Sequence, residues 1–186
     1  MQEIPIIVMT TKTVEKNLNK CHQYWPAKVN EMLKVGNYEI RNMKTLTHEH
    51  CTIVTDLSVL NTSVNLDLKI LTILFKTGIC IQNSFKLLVT HIQFVSWPDH
   101  GVPKNSDQFN MLTEIVANCD ETANPSGKPI LVHCSAGIGR SGYRFSGIYI
   151  LSSSYIYIIY FAFKIFTFIV NSWSPHLNTG TKTTMN

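Results

Sequence analysis

Apolar positions cluster at the start of the chain, where Ile4-Pro5-Ile6-Ile7-Val8-Met9 contains no charged or amide side chain. A short continuous run rich in β-branched residues predicts a strand buried on both faces. Residues 11–25 are mainly polar and lead into Tyr24-Trp25-Pro26, which predicts a loop closed by proline. Strand-like pieces follow around Tyr38–Met43, Cys51–Leu57, Leu68–Phe75 and Leu87–Phe94, with Gly78 and Asn83-Ser84 as breaks between the later ones. Together they predict a mixed, mostly antiparallel sheet. The period then changes. Over 106–119, Phe109, Leu112, Ile115, Val116 and Cys119 share one helical face, with Ser106 placed to cap it. Asn124-Pro125-Ser126-Gly127 predicts a turn, and Pro129-Ile130-Leu131-Val132 a short buried strand that runs straight into His133-Cys134.

From Tyr143 onward the pattern is lost. Residues 145–163 carry no charge, and no Asp, Glu or Gln occurs from 143 to the end. Taken whole, the composition fits one globular domain: 186 residues, 45% hydrophobic and 15% charged. The net charge of +4 is mild and no block of Lys or Arg is present, so nucleic acid is not expected as a partner. The five cysteines are widely spaced with no Cys-x-x-Cys pair, which argues against a disulfide framework and a structural zinc site. A reducing compartment follows, and the first ten residues lack the basic and small-residue parts of a signal peptide.

The chemistry concentrates in Val132-His133-Cys134-Ser135-Ala136-Gly137-Ile138-Gly139-Arg140-Ser141-Gly142. A cysteine and an arginine with five residues between them can close a loop whose backbone N–H groups point inward. Gly137 and Gly139 permit the dihedrals and close approach such a loop needs. A helix starting near Arg140 would aim its positive end at the same point. That field stabilises a bound phosphate dianion and a thiolate alike, and Arg140 adds a planar fork that matches two phosphoryl oxygens. Ser141 can donate to the sulfur and help it leave; His133 can orient the loop through its ring nitrogens. From the residues alone two alternatives stay open, a buried core cysteine beside a glycine turn and a sulfurtransferase- or arsenate-reductase-like cysteine loop.

The string His133 to Gly142 resembles the signature of the protein tyrosine phosphatase family, in its tyrosine-specific branch. Trp97-Pro98-Asp99-His100-Gly101-Val102-Pro103 is similar to that family's mobile acid loop. Val14-Glu15-Lys16 through Lys20-Cys21-His22-Gln23-Tyr24-Trp25-Pro26 is similar to a loop flanking its active site. The resemblance covers roughly residues 4–142. It implies Cys134 as nucleophile, with Arg140 and the amides of Ser135, Ala136, Gly137, Ile138 and Gly139 as phosphate cradle. It implies Asp99 as general acid, which also meets substrate, and Trp97 as hinge of the acid loop. Glu15 would hold the Arg140 fork, and Lys20 would stand near Asp99. Protonation of the leaving group matters because a phenol has a pKa near 10.

The expected fold is α/β, a twisted mixed sheet flanked by helices, truncated at both ends relative to the family. Residues 1–142 would form a partial catalytic domain and 143–186 a divergent hydrophobic tail. Upstream, the family carries a recognition loop whose tyrosine stacks on the substrate ring. Downstream, it carries a core helix beginning with threonine and a glutamine that positions water, whereas Gly142 here precedes Tyr143-Arg144-Phe145. The tail admits three readings: a replaced core helix, a membrane span through 145–170, or a stretch encoded past an intron or frame break. The span is not favoured, because Ser152-Ser153-Ser154 and several tyrosines interrupt it.

The expected activity is hydrolysis of phosphotyrosine in proteins through a cysteinyl-phosphate, with turnover impaired by the truncation and without metal or organic cofactor. The alternative is an inert fragment that only binds phosphotyrosine ligands or partner proteins. A cytoplasmic location is expected, with attachment through the tail or a receptor-type parent as alternatives.

Overall fold

The computed structural model describes residues 4–62, 86–98, 106–135 and 140, and the backbone of 156–158. Within these residues the strands are β1 (Ile6–Met9), β2 (Val14–Glu15), β3 (Leu18–Asn19), β4 (Met32–Val35), β5 (Tyr38–His48), β6 (Thr52–Asn61), β7 (Lys86–Phe94), β8 (Ile130–His133) and β9 (Ile156–Ile158). One helix, α1 (Ser106–Ala123), is described in full. Seven strands form one sheet in the order β4-β5-β6-β7-β1-β8-β9, and β2-β3 is a separate hairpin. The predicted strand at Leu68–Phe75 lies outside the described residues.

The sheet is mixed, as the apolar pattern predicts, but it is half parallel. β4-β5, β5-β6 and β6-β7 run antiparallel. β7-β1, β1-β8 and β8-β9 run parallel. The parallel half follows from the continuous apolar runs of β1 and β8. Every residue of both strands is buried, and parallel strands need cover on both faces. Alternate side chains divide between two cores. Ile7, Met9 and Leu131 pack with Tyr24, Trp25, Tyr38 and Ile40 on one face. Ile6, Val8, Ile130 and Val132 pack under Phe109, Leu112 and Val116 of α1 on the other. Each such side chain contributes about 1.5–3 kcal/mol when fully buried.

α1 extends four residues beyond the predicted 106–119, and Asp107 in its first turn complements the helix dipole. Its C-terminal end is tied to the next strand by buried Asn124. Asn124 Nδ2 donates to Asp120 Oδ1 at 2.6 Å and to the Lys128 carbonyl at 2.7 Å, and Lys128 N–H donates to Asn124 Oδ1 at 2.8 Å. Gly127 takes the positive φ of 60° that this turn requires. The run-in to β8, and hence the height at which Cys134 leaves the sheet, is thereby fixed.

Two features differ from the sequence expectation. The polar stretch predicted as a loop holds the β2-β3 hairpin, in which Val14 pairs with Asn19 and Glu15 with Leu18. Its turn places Lys16 and Asn17 at φ of 49° and 63°, the type I′ geometry that suits a two-residue hairpin. Residues 156–158, inside the uncharged run of the tail, pair parallel with β8 from Ile130↔Ile156 to Val132↔Ile158. None of the three readings of that tail includes a strand.

Candidate active site

β7, β1 and β8 are adjacent and parallel, so their C-terminal ends open onto one edge of the sheet. Ligand sites in sheets of this kind form where the chain leaves the C-terminal ends of strands. Three segments leave there: 95–98 after β7, 10–15 after β1, and Cys134-Ser135 after β8, with Arg140 joined to the second through Thr10 and Thr11. They carry Trp97, Glu15 and Cys134. Sequence positions more than a hundred residues apart meet because of this parallel register.

Cys134 is buried, with 4% of its surface exposed. The loop around it is held from both sides. The His133 carbonyl accepts from Thr10 N–H at 2.9 Å and from Thr10 Oγ1 at 3.3 Å. Ser135 Oγ donates to the Lys20 carbonyl at 2.8 Å, which brings the Lys20-Cys21 segment against the cysteine loop. Burial first, and the neighbouring Cys134 second, push the Cys21 thiol up to about 11.

Arg140 has helical backbone and a partly buried guanidinium. Its Nη1 donates to Glu15 Oε1 at 2.6 Å and its Nη2 to Glu15 Oε2 at 2.9 Å, a fork-to-fork pair. Nη1 also donates to Thr11 Oγ1 at 3.1 Å. Glu15 is kept in place by Thr11 Oγ1 at 3.1 Å and by Lys12 N–H at 3.4 Å. The Arg140 hydrogen bonds lower the Glu15 pKa, partly opposed by burial. The hairpin turn at Lys16-Asn17 therefore presents a carboxylate that meets both ends of the Arg140 fork.

Trp97 is buried edge-on between Phe94 and Phe109, with ring centroids 6.3 and 6.4 Å away. This anchors the base of the following segment to β7 and α1. Trp97 and Pro98 face Glu15, Lys12 and Lys16 across a cleft of about 640 Å³. Asp99, Ala136, Gly137, Ile138, Gly139 and Ser141 lie outside the described residues.

His133 is fully buried. Its Nε2 is 2.7 Å from Tyr24 Oη and its Nδ1 is 3.0 Å from the Cys134 carbonyl. The same Tyr24 hydroxyl lies 2.8 Å from Nε2 of a second buried imidazole, His91, on which Trp25 stacks at 4.3 Å. Desolvation lowers His133 to about 4 and His91 to about 3, so both are neutral near pH 7. Sequence reasoning gave Tyr24 no role beyond its motif and missed His91 and Thr11. His91 could have been noticed as an imidazole at an inward position of a strand ending near Trp97. Thr11 leaves no such signal.

Among the described residues no group of three His, Cys, Asp or Glu side chains could hold a metal ion, and no helix is long and apolar enough to cross a membrane. The segment 145–170 lies outside the described residues apart from the backbone of 156–158.

A sequence profile for the protein-tyrosine phosphatase family matches residues 1–155. The chain is 33% identical over 143 residues to the receptor-type tyrosine-protein phosphatase C of Homo sapiens, covering 76% of this chain and 9% of that protein. It is 35% identical over 139 residues to the tyrosine-protein phosphatase non-receptor type 18 of Mus musculus, covering 75% of this chain and 25% of that one. It is 33% identical over 141 residues to tyrosine-protein phosphatase 1 of Caenorhabditis elegans, covering 76% and 11%. The chain thus spans a quarter or less of the length of these relatives. A family match over most of the chain, on an α/β sheet that gathers the cysteine loop, the arginine and its carboxylate at one edge, shows that this chain belongs to the protein-tyrosine phosphatase family.

Proposed function

We propose that this chain dephosphorylates phosphotyrosine in proteins through a cysteinyl-phosphate on Cys134. The observation that carries the reading is the bidentate Glu15–Arg140 pair, held against Thr10 and Thr11 at the sheet edge where buried Cys134 lies. A guanidinium held from behind keeps its remaining N–H groups aimed at one place, and phosphoryl transfer is catalysed mainly by such positioning and charge stabilisation. In the first step the Cys134 thiolate forms an S–P bond as the P–O bond to the tyrosyl oxygen breaks. Asp99 gives its proton to that oxygen, help typically worth about 10²–10⁴ in rate. In the second step water attacks phosphorus, the S–P bond breaks, and Asp99 takes the water's proton. Ser135 to Gly139 supply amide donors, Ser141 a hydroxyl to the departing sulfur, Trp97 a fixed hinge and Lys20 a cation near Asp99. Neither step requires a metal or organic cofactor.

Relatives of both receptor and non-receptor type match the chain, so the family alone leaves its location open. We place it in the cytoplasm, because a catalytic thiolate needs a reducing compartment and no disulfide joins the described cysteines. Its partners on this reading are phosphotyrosine proteins. We keep 1–142 as the catalytic unit and 143–186 as a separate tail, although the family match runs on to residue 155.

An aryl-phosphate assay tests the activity, with Cys134→Ser and Asp99→Ala as controls. Turnover lost in the first and strongly reduced in the second supports it. A single equivalent of product without turnover identifies attack without hydrolysis. No product and no oxyanion binding overturns the reading and leaves an inert fragment.

A further inference from the structure

The chain of contacts His91–Tyr24–His133–Cys134 can be given a direction. The Cys134 carbonyl only accepts, so the His133 Nδ1 facing it at 3.0 Å must carry a proton. His133 is neutral, which leaves its Nε2 bare and makes it the acceptor of the Tyr24 O–H at 2.7 Å. The hydroxyl has one proton and has spent it. His91 Nε2, 2.8 Å from the same oxygen, must therefore be the donor. His91 Nδ1 is then a bare lone pair, and it is the buried side-chain atom with no hydrogen-bond partner among the described residues. The opposite assignment is worse twice over. It would bury an unmatched His91 N–H and turn a bare His133 nitrogen toward the Cys134 carbonyl.

We propose that His91 is a positioning residue for the phosphate cradle: by donating to Tyr24 it forces the hydroxyl proton toward His133 and locks His133 as an Nδ1–H donor to the Cys134 carbonyl. The consequence reaches the site through one peptide plane. The Cys134–Ser135 bond is not cis, and in a planar trans peptide the C=O and the following N–H point in opposite directions. Holding the Cys134 carbonyl on the His133 side turns the Ser135 N–H to the other side, toward the anion the loop is built to receive. If His133 took the other tautomer, two acceptors would face each other and that plane would be free to rotate. His91 lies on β7 beside β1. Its influence passes through Tyr24, a residue joined to both imidazoles by side-chain contacts alone.

The inference shares the cradle with the proposed phosphatase reading, but its primary test does not need turnover. Nitrogen NMR of the full chain labelled with ¹⁵N-histidine, near pH 7.5, reads both tautomers directly. His91 is expected as Nε2–H and His133 as Nδ1–H; the reverse in either ring overturns the proposal. Tungstate affinity by calorimetry reads the consequence. His91→Leu should bind tungstate roughly 3- to 10-fold more weakly, about what one neutral hydrogen bond is worth, while His91→Gln, whose amide can donate to Tyr24, stays within about 2-fold. A folded His91→Leu with unchanged tungstate affinity and only a lower melting temperature makes His91 a packing residue and overturns it. Should His91→Leu not fold, the wild-type spectrum decides, with Tyr24→Phe expected to show the same loss of tungstate affinity. Wild-type protein that binds no tungstate defeats the phosphatase reading and leaves the tautomers to decide this one.

Discussion

The two halves of the sheet are built by different rules. β4, β5 and β6 are joined by short connections and pair antiparallel, with β5 alternating between buried and exposed positions before its register shifts between Asn42 and Lys44. Met43 and Leu46 on β5 are nearly half exposed. β7, β1 and β8 instead run parallel, with β1 and β8 buried along their whole length. Antiparallel neighbours send successive loops to opposite ends, whereas parallel neighbours send them all to one. Trp97, Cys134 and the Thr10-Thr11 segment that meets Arg140 all follow the parallel strands at that end. Apolar content is therefore greatest where the charge chemistry is, because burying the strands frees their ends to hold functional loops in fixed register.

The largest effect expected from breaking this contrast is on rate. Arg140→Lys keeps a positive charge but loses the fork that meets both Glu15 oxygens. In a steady-state aryl-phosphate assay kcat should fall by about 10²–10³, the cost of removing a preorganised donor. Arg41→Lys on the exposed face of β5 should leave kcat within about 2-fold, as surface changes away from a site usually do. Equal losses in the two variants would mean that the antiparallel half feeds the site directly.

Stability should divide along the same line. Ile7→Ala opens a cavity at the centre of the parallel strands and is expected to cost about 2–5 kcal/mol. Leu46→Ala, at a position nearly half exposed, should cost no more than about 0.5 kcal/mol. Urea denaturation of both checks the pair. A large loss in Leu46→Ala would show the antiparallel arm to be covered in solution.

Glu15→Gln acts at the junction, since Glu15 sits on the hairpin that follows β1. Losing charge-assisted hydrogen bonds to Arg140 should cost about 1.5–3 kcal/mol. Because the folded pKa of Glu15 lies below the ordinary 4.5, this contribution is fully present above that value and is lost as pH falls beneath it. Wild type and Glu15→Gln should thus converge in stability on acidification below about pH 4.5, measurable by urea midpoints.

The sequence made the two halves unequally legible. Continuous runs such as Ile6–Met9 and Ile130–Val132 announce buried strands, and the spacing of Phe109, Leu112 and Val116 announces α1. Whether strands pair parallel depends on contacts between segments far apart, so the sheet was expected to be mostly antiparallel. The cysteine loop stands out because glycine and arginine spacing is local chemistry. The link from Glu15 to Arg140 spans 125 positions and was in reach only through family resemblance. The β2-β3 hairpin escaped because Lys16-Asn17 is not a strong turn pair, although both adopt the positive φ it needs. His91 escaped because an imidazole at an inward strand position signals burial and not its partner, and only the fold brings it to Tyr24.

The most gradual effect, spread over several pH units, separates the halves once more. Among the described residues the buried imidazoles are His91 and His133, both on the parallel strands. Their folded pKa values, about 3 and about 4, lie below the ordinary 6.5. Between pH 6.5 and these values the unfolded chain binds protons that the folded chain refuses. Stability is therefore full above about 6.5 and falls as pH drops, by about 1.4 kcal/mol per unit for each histidine, until the folded pKa values are passed. Replacing His91 by Leu should remove roughly half the slope between pH 6 and 5, as one of two equal contributions. An unchanged slope in the variant would mean that His91 already accepts a proton inside the folded protein. The core around His91 would then hold a charge despite its full burial against Tyr24 and Trp25.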